Sequence, residues 1–123
     1  MSKAQNRNIG EMGERIAEEF LKKKGYQIIE RNWRSKFGEI DLICQKDKAL
    51  VFVEVKTKRG EGWGSPEEME DRRKLEKVRR MGEVYMANHT SEQARFMARV
   101  DVVAIVLNYD RSVARIDHYE NVY

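Results

Sequence analysis

The sequence predicts an α/β protein: one mixed β-sheet with helices packed on it, in the order α-β-β-β-α-β-β. Three observations carry this. Residues 9–24 place apolar side chains at helical spacing, residues 50–55 and 101–107 are nearly continuous β-branched and apolar runs, and a second helical period lies between those runs. With 123 residues, 41% of them hydrophobic, the chain is expected to form a single domain spanning residues 1–123 that buries one core without a disulfide or zinc staple.

The first helix is expected over residues 9–24, with Ile9, Met12, Ile16, Ala17, Phe20 and Leu21 on its apolar face. Gly25 should stop it, after Lys22, Lys23 and Lys24 have complemented the helix dipole. Strands are expected over residues 26–30, 39–45 and 49–57. The third contains the run Leu-Val-Phe-Val-Glu-Val, as a central strand covered on both faces would. Residues 60–64 read as a glycine-rich loop around Trp63. Ser65, Pro66 and Glu68 then form a capping box with proline at the first turn, starting a helix that should run to about Ala87. Its stripe is Leu75, Val78, Gly82, Tyr85 and Met86, and the interior glycine costs about 1 kcal/mol against alanine. After a loop over residues 88–94, strands are expected over 99–107 and 112–117, the last an edge strand.

Composition excludes several function classes. One cysteine, Cys44, rules out a disulfide framework or Cys-rich zinc site, and two histidines far apart in sequence, His89 and His118, argue against a His-based metal site. No apolar run approaches the roughly 18 residues needed to span a bilayer, and the first residues lack the apolar core of a signal peptide, so a cytoplasmic protein without membrane contact is expected. Net charge is only +3, but residues 31–65 hold eight basic and five acidic side chains. Arg31, Arg34, Lys36, Lys58 and Arg59 in that segment are the expected phosphate contacts, with solubility as the plainer explanation of the charge.

The chemistry is expected around Asp41 and the triplet Glu54-Val55-Lys56. A two- or four-residue turn centred on Asp47-Lys48 would pair residues whose numbers sum to 95, placing Asp41 opposite Glu54 and Glu39 opposite Lys56. Opposed carboxylates about 5 Å apart repel unless a cation sits between them, and magnesium prefers oxygen ligands of this kind. Lys56, on the face of Glu54, could then orient a water or neutralise a phosphate. The alternative is a ladder of structural charges. A three- or five-residue turn would spoil the register. On the first helix Glu14 and Glu19 flank the apolar stripe at similar angles, so geometry leaves both open. Cys44 and Met12, Met69, Met81 and Met86 read as core or gap-filling residues, Trp33 and Trp63 as core or base-stacking residues, and Asp101 as a buried partner of an arginine.

Asp41, twelve residues and then Glu54-x-Lys56 resembles the D-x(n)-E-x-K core of restriction-endonuclease-like nucleases. The wider pattern is similar to the bacterial YraN-like family: Gly13-Glu14-Arg-Ile-Ala17, Arg31-Asn32-Trp33-Arg34, Gly38-Glu39-Ile40-Asp41-Leu42-Ile43, Val51-Phe52-Val53-Glu54-Val55-Lys56 and Arg99-Val100-Asp101-Val102-Val103. The resemblance covers the chain from about Asn8 to its end. The proline usual before the nuclease aspartate is Ile40 here, as is normal in this family.

That resemblance implies a restriction-endonuclease-like fold similar to archaeal Holliday-junction resolvases. It implies a catalytic set of Asp41, Glu54 and Lys56, and it selects Glu14 to join Asp41 and Glu54 around Mg²⁺ or Mn²⁺. The expected function is a metal-dependent endonuclease hydrolysing phosphodiesters in DNA, with branched or repair intermediates as substrates. The analogy adds a homodimer, because a junction resolvase needs two sites. Two other classes stay open: a nucleic-acid-binding module on the same scaffold that cleaves nothing, and an adaptor bound to another protein.

Overall fold

The computed structural model describes residues 3–60, 71–90 and 97–123. Helix α1 (Lys3–Lys23) leads into strands β1 (Gln27–Ser35), β2 (Gly38–Lys46) and β3 (Ala49–Arg59), then helix α2 (Arg72–His89) and strands β4 (Met97–Leu107) and β5 (Val113–Tyr119). The expected order is present. The sheet follows chain order, β1-β2-β3-β4-β5, with β3 and β4 parallel and the other neighbours antiparallel, so it is mixed. No helix of the described residues is long and apolar enough to cross a membrane.

Gly25 ends α1 as expected. It adopts φ +90°, its N–H bonds to Lys22 O, and Tyr26 N–H bonds to Leu21 O, which together form a Schellman cap. Three boundaries differ from expectation by more than two residues. Helix α1 begins earlier, at Lys3. Strand β1 runs on to Ser35, past a bulge between Ile28 and Glu30, so Arg31 to Arg34 lie within the sheet. Helix α2 begins at Arg72, because the extended Asp71 accepts hydrogen bonds from the N–H groups of Arg73 and Lys74. The expected Ser65–Glu68 cap, with Trp63 and Met69, lies outside the described residues.

Each helix covers one sheet face. Val51 and Val53 of β3 pack with Leu42, Cys44, Val103 and Ile105 beneath Ala17 and Leu21 of α1. Leu50 and Phe52 alternate to the other face and meet Leu75, Val78, Met81 and Tyr85 of α2. Two glycines set the spacing. A Cβ at Gly82 would lie 2.6 Å from the Phe52 ring, and one at Gly13 would lie 1.7 Å from Thr57 Oγ1. Gly82 thus gives up helix propensity to let α2 seat on Phe52, and Gly13 lets α1 lie close over β3.

The plainer readings also find their places. Cys44 is fully buried, and burial pushes its thiol up to about 12, which makes it inert core. Trp33 packs edge-on against Tyr85, with ring centroids 5.4 Å apart. Asp101 is fully buried, and it accepts from Arg99 Nε and Nη2 at 2.9 Å, His118 Nε2 at 2.7 Å and Asn121 N–H at 2.9 Å. Burial works to raise its carboxyl, but these donors outweigh it and hold the group below the usual carboxylate range.

Candidate metal centre

The β2–β3 hairpin turns on Asp47, at φ +53°, and Lys48. Its ladder pairs Lys46 with Ala49 through Leu42 with Val53, so the numbers sum to 95 as the turn predicted. The ladder ends there. The next pair would set Asp41 against Glu54; instead Asp41 Oδ2 accepts the N–H of Val55 at 2.8 Å. Beyond this point β2 stays paired with β1 and β3 with β4, so the sheet forks at the two carboxylates. Like charges set directly opposite disfavour closing the ladder, and a side-chain oxygen takes over one of its backbone donors.

Four acidic residues gather at the fork. Carboxylate oxygens of Glu14, Glu39 and Asp41 lie within 4.8 Å of one another. Glu14 arrives from α1, one residue after the close approach of Gly13 to Thr57. Asn32 of β1, at φ +50°, sits opposite Asp41 in register, between the pairs Arg31–Leu42 and Trp33–Ile40. With its amide nitrogen turned toward the carboxylates, Asn32 donates to Glu14 Oε1 and Glu39 Oε1, each at 2.6 Å. The fourth residue, Glu54, is 3% exposed and accepts an ion pair from Lys74 of α2 at 2.5 Å. Alternation along β3 puts Glu54 and Lys56 on the α2 face with Phe52, whereas Glu14 comes from the α1 face.

This crowding shows in the protonation equilibria. Burial first, then the charges of Glu54 and Glu14, push the Asp41 carboxyl up to about 7, against the opposing Val55 N–H and Lys74. Burial and the charges of Glu39, Glu11 and Glu54 raise Glu14. The Lys74 ammonium is also raised: burial opposes this, but the Glu54 carboxylate outweighs it. Among the described residues, the fork holds more negative charge than Lys74 alone offsets.

The expected residues are distributed unevenly. Glu14 faces Asp41, whereas Glu19 points to Lys22 at 3.7 Å on the helix surface. The compact triad joins Asp41 to Glu14 and Glu39, while Glu54 is engaged by Lys74. Glu39 does not face Lys56, because the ladder that would pair them stops short. It pairs with Arg34 at 3.5 Å instead. Lys56 is half-buried, and no hydrogen bond or ion pair engages it among the described residues.

Of the basic set, Arg31 is bound to Glu18 through Nε at 2.9–3.0 Å, Lys36 lies 5.2 Å from the Phe37 ring centroid, and Lys58 is exposed. Arg59 ends β3. Arg7 and Arg34 line a groove of about 470 Å³ beside Glu14 and Glu39. A second groove, of about 400 Å³, joins Glu39 to Arg73, Lys74 and Lys77. Sequence reading missed Lys74, Asn32 and Glu39 as members of the site. The signal for Asn32 was its place in the Arg31-Asn32-Trp33-Arg34 motif.

Comparison with known proteins agrees with these elements. The profile of the uncharacterised protein family UPF0102 matches residues 13–105, a stretch holding Glu14, Asp41, Glu54, Lys56 and Lys74. The chain is 40% identical over 120 residues to a UPF0102 protein of Syntrophomonas wolfei, covering 96% of this chain and 99% of that one. It is 36% identical over 124 residues to one from Caldanaerobacter subterraneus, covering 100% of both chains. One from Beutenbergia cavernae is 40% identical over 114 residues, covering 93% of this chain and 94% of that one. With the match running from the α1 glycine through β4, the chain belongs to the UPF0102 family, the YraN-like proteins.

Proposed function

We propose that this protein is a divalent-metal-dependent nuclease of restriction-endonuclease-like fold acting on DNA, with branched or repair intermediates as its substrate class. The observation that carries the reading is the Asp41 carboxyl, pushed up to about 7 with two further carboxylates within 4.8 Å of it. Such a cluster is costly to keep charged and becomes favourable when a cation enters. The donors are all oxygens, which suits Mg²⁺ or Mn²⁺. Asp41, Glu14 and Glu39 would hold the ion, with Glu54 joining once Lys74 releases it. Lys74 has a half-exposed side chain, so its ammonium can turn to solvent as the ion takes over as counter-charge to Glu54.

A bound ion would lower the pKa of its water and offset charge on a phosphoryl oxygen. Lys56, on the face of Glu54, offers an ammonium to the same phosphate or to the attacking water. Arg34 and Arg7 on one flank, and Arg73 and Lys77 on the other, offer contacts to neighbouring phosphates. One observation favours the non-catalytic module instead: Lys74 already gives Glu54 a counter-charge at 2.5 Å.

Incubating the protein with a four-way junction, a fork and a blunt duplex, in Mg²⁺, Mn²⁺ or EDTA, separates the two readings. The nuclease reading expects cleavage only with metal, abolished by Asp41→Asn and by Glu54→Gln. DNA binding without cleavage, and no metal-induced rise in melting temperature, would leave the module.

A further inference from the structure

We propose that the exposed face of α2 and the tip of the β1–β2 hairpin form a binding track for unpaired DNA, with Phe37 as the platform on which one base stacks. The six basic residues of the segment 66–90 all fall between Arg72 and Arg80, where Glu76 is the single acid; the segment's balanced total conceals this. Positions 73, 77, 80 and 84 share one helix face. Arg73, Lys77 and Arg80 there line a groove of about 540 Å³ with Phe37 and Val84. Glu76 in that groove is taken by Arg80 at 2.7 Å, so the free charge of the groove is positive.

Phe37 sits at the hairpin tip, 55% exposed. The hairpin rests on α2, since a Cβ at Gly38 would lie 3.3 Å from Lys77 Cε. Arg73 and Lys77 also line the groove that reaches Glu39, so the track is continuous with the acidic fork. Cations beside an exposed ring suit a phosphate polymer whose bases are free to stack, which is a single strand or the unpaired arm of a branch. A blunt duplex keeps its bases stacked on each other and offers the ring little.

The choice of DNA rests on the nuclease reading, whereas the test does not need cleavage. Fluorescence anisotropy in EDTA, with labelled oligo-dT, a fork with dT arms and a blunt duplex, measures the three affinities. Phe37→Ala should weaken oligo-dT and fork binding by about 5- to 150-fold, the value of one base–aromatic stack, and leave the duplex within about twofold. Phe37→Trp should restore binding, and its emission should be quenched by oligo-dT.

Lys77→Glu should weaken all three ligands and flatten the salt dependence. Unchanged oligo-dT affinity in Phe37→Ala, or a wild-type preference for blunt duplex, would overturn the proposal. So would a dimer in sedimentation that Phe37→Ala dissociates without any effect on DNA; this assigns the groove to a second copy. Failure of the nuclease reading appears elsewhere, as missing metal-dependent cleavage in a protein that binds oligo-dT through Phe37.

Discussion

Asp41→Asn tests the acidic fork through stability. The substitution keeps the shape, and the amide oxygen can still accept the Val55 N–H, but the charge that Glu54 and Glu14 oppose is gone. In the wild type the carboxyl is pushed from 3.8 to about 7. Each pH unit of displacement corresponds to about 1.4 kcal/mol, so keeping Asp41 ionised in the folded protein costs about 4 kcal/mol. Between about pH 4 and pH 7 the folded state holds a proton that the unfolded chain has released. This part of the stability is therefore present at low pH and is lost as pH rises through that window.

The asparagine variant has no such loss. In EDTA it should match the wild type near pH 4 and exceed it by up to about 4 kcal/mol at pH 8, a rise of roughly 15 °C in melting temperature. Far-UV circular dichroism melts across this range read the difference. Millimolar Mn²⁺ should stabilise the wild type at pH 8 by mass action and leave the variant unmoved, so the gap narrows. A variant less stable than the wild type at pH 8 in EDTA would refute the reasoning, because Asp41 would then be stabilised by its surroundings.

Lys74→Met leaves the buried Glu54 without its counter-charge and should cost about 1–3 kcal/mol in EDTA; urea unfolding should show the loss recovered by Mg²⁺ or Mn²⁺. Gly13→Ala puts a Cβ 1.7 Å from Thr57 Oγ1 and should destabilise by about 1–3 kcal/mol, with weaker metal binding by calorimetry as Glu14 is displaced and partial recovery in Gly13→Ala/Thr57→Gly. Asp101→Asn should cost about 3–5 kcal/mol at neutral pH. Since donors hold the Asp101 carboxyl low, the deficit against wild type should be constant above about pH 4 and shrink as pH falls further, which urea titrations at several pH values would read.

Periods of 3.6 and 2 survive in the elements that bury a face, so α1, β2, β3, α2 and β4 are legible in the sequence. The hairpin register was legible because a two-residue turn at Asp47-Lys48 fixes it. Strand β1 was not legible past Glu30: Arg31, Asn32, Arg34 and Ser35 give no alternation, the strand has a single partner, and Asn32 at φ +50° breaks the pleat. Glu39 was misplaced because register arithmetic assumes an unbroken ladder, and this one ends at Leu42 and Val53. Lys74 was invisible for a different reason. A lysine near a helix start looks solvated, and its partner Glu54 is a strand residue brought to it only by the packing of α2 on Phe52. The basic helix face was hidden because the six basic residues of segment 66–90 are matched by six acidic ones in the count.

Two aspartates in one sheet, Asp101 fully buried and Asp41 half-buried, show what distinguishes a structural carboxylate from one shaped for a ligand. Asp101 has Arg99, His118 and the Asn121 N–H around it, and its carboxyl is held low. Asp41 takes one backbone N–H, from Val55, faces Glu54 and Glu14, and its carboxyl is pushed up. Burial opposes charge at both, so the contrast comes from the supply of donors. At Asp41 the neighbourhood adds acids where donors would have stabilised the fold. It ends a ladder, holds Asn32 in a left-handed conformation and draws α1 onto β3 through a glycine, all to gather oxygens at one point. Departures from local rules that converge on one place, only partly offset by Asn32, Arg34 and Lys74, are the expected mark of a functional site. A divalent cation is the ligand whose arrival would offset them together.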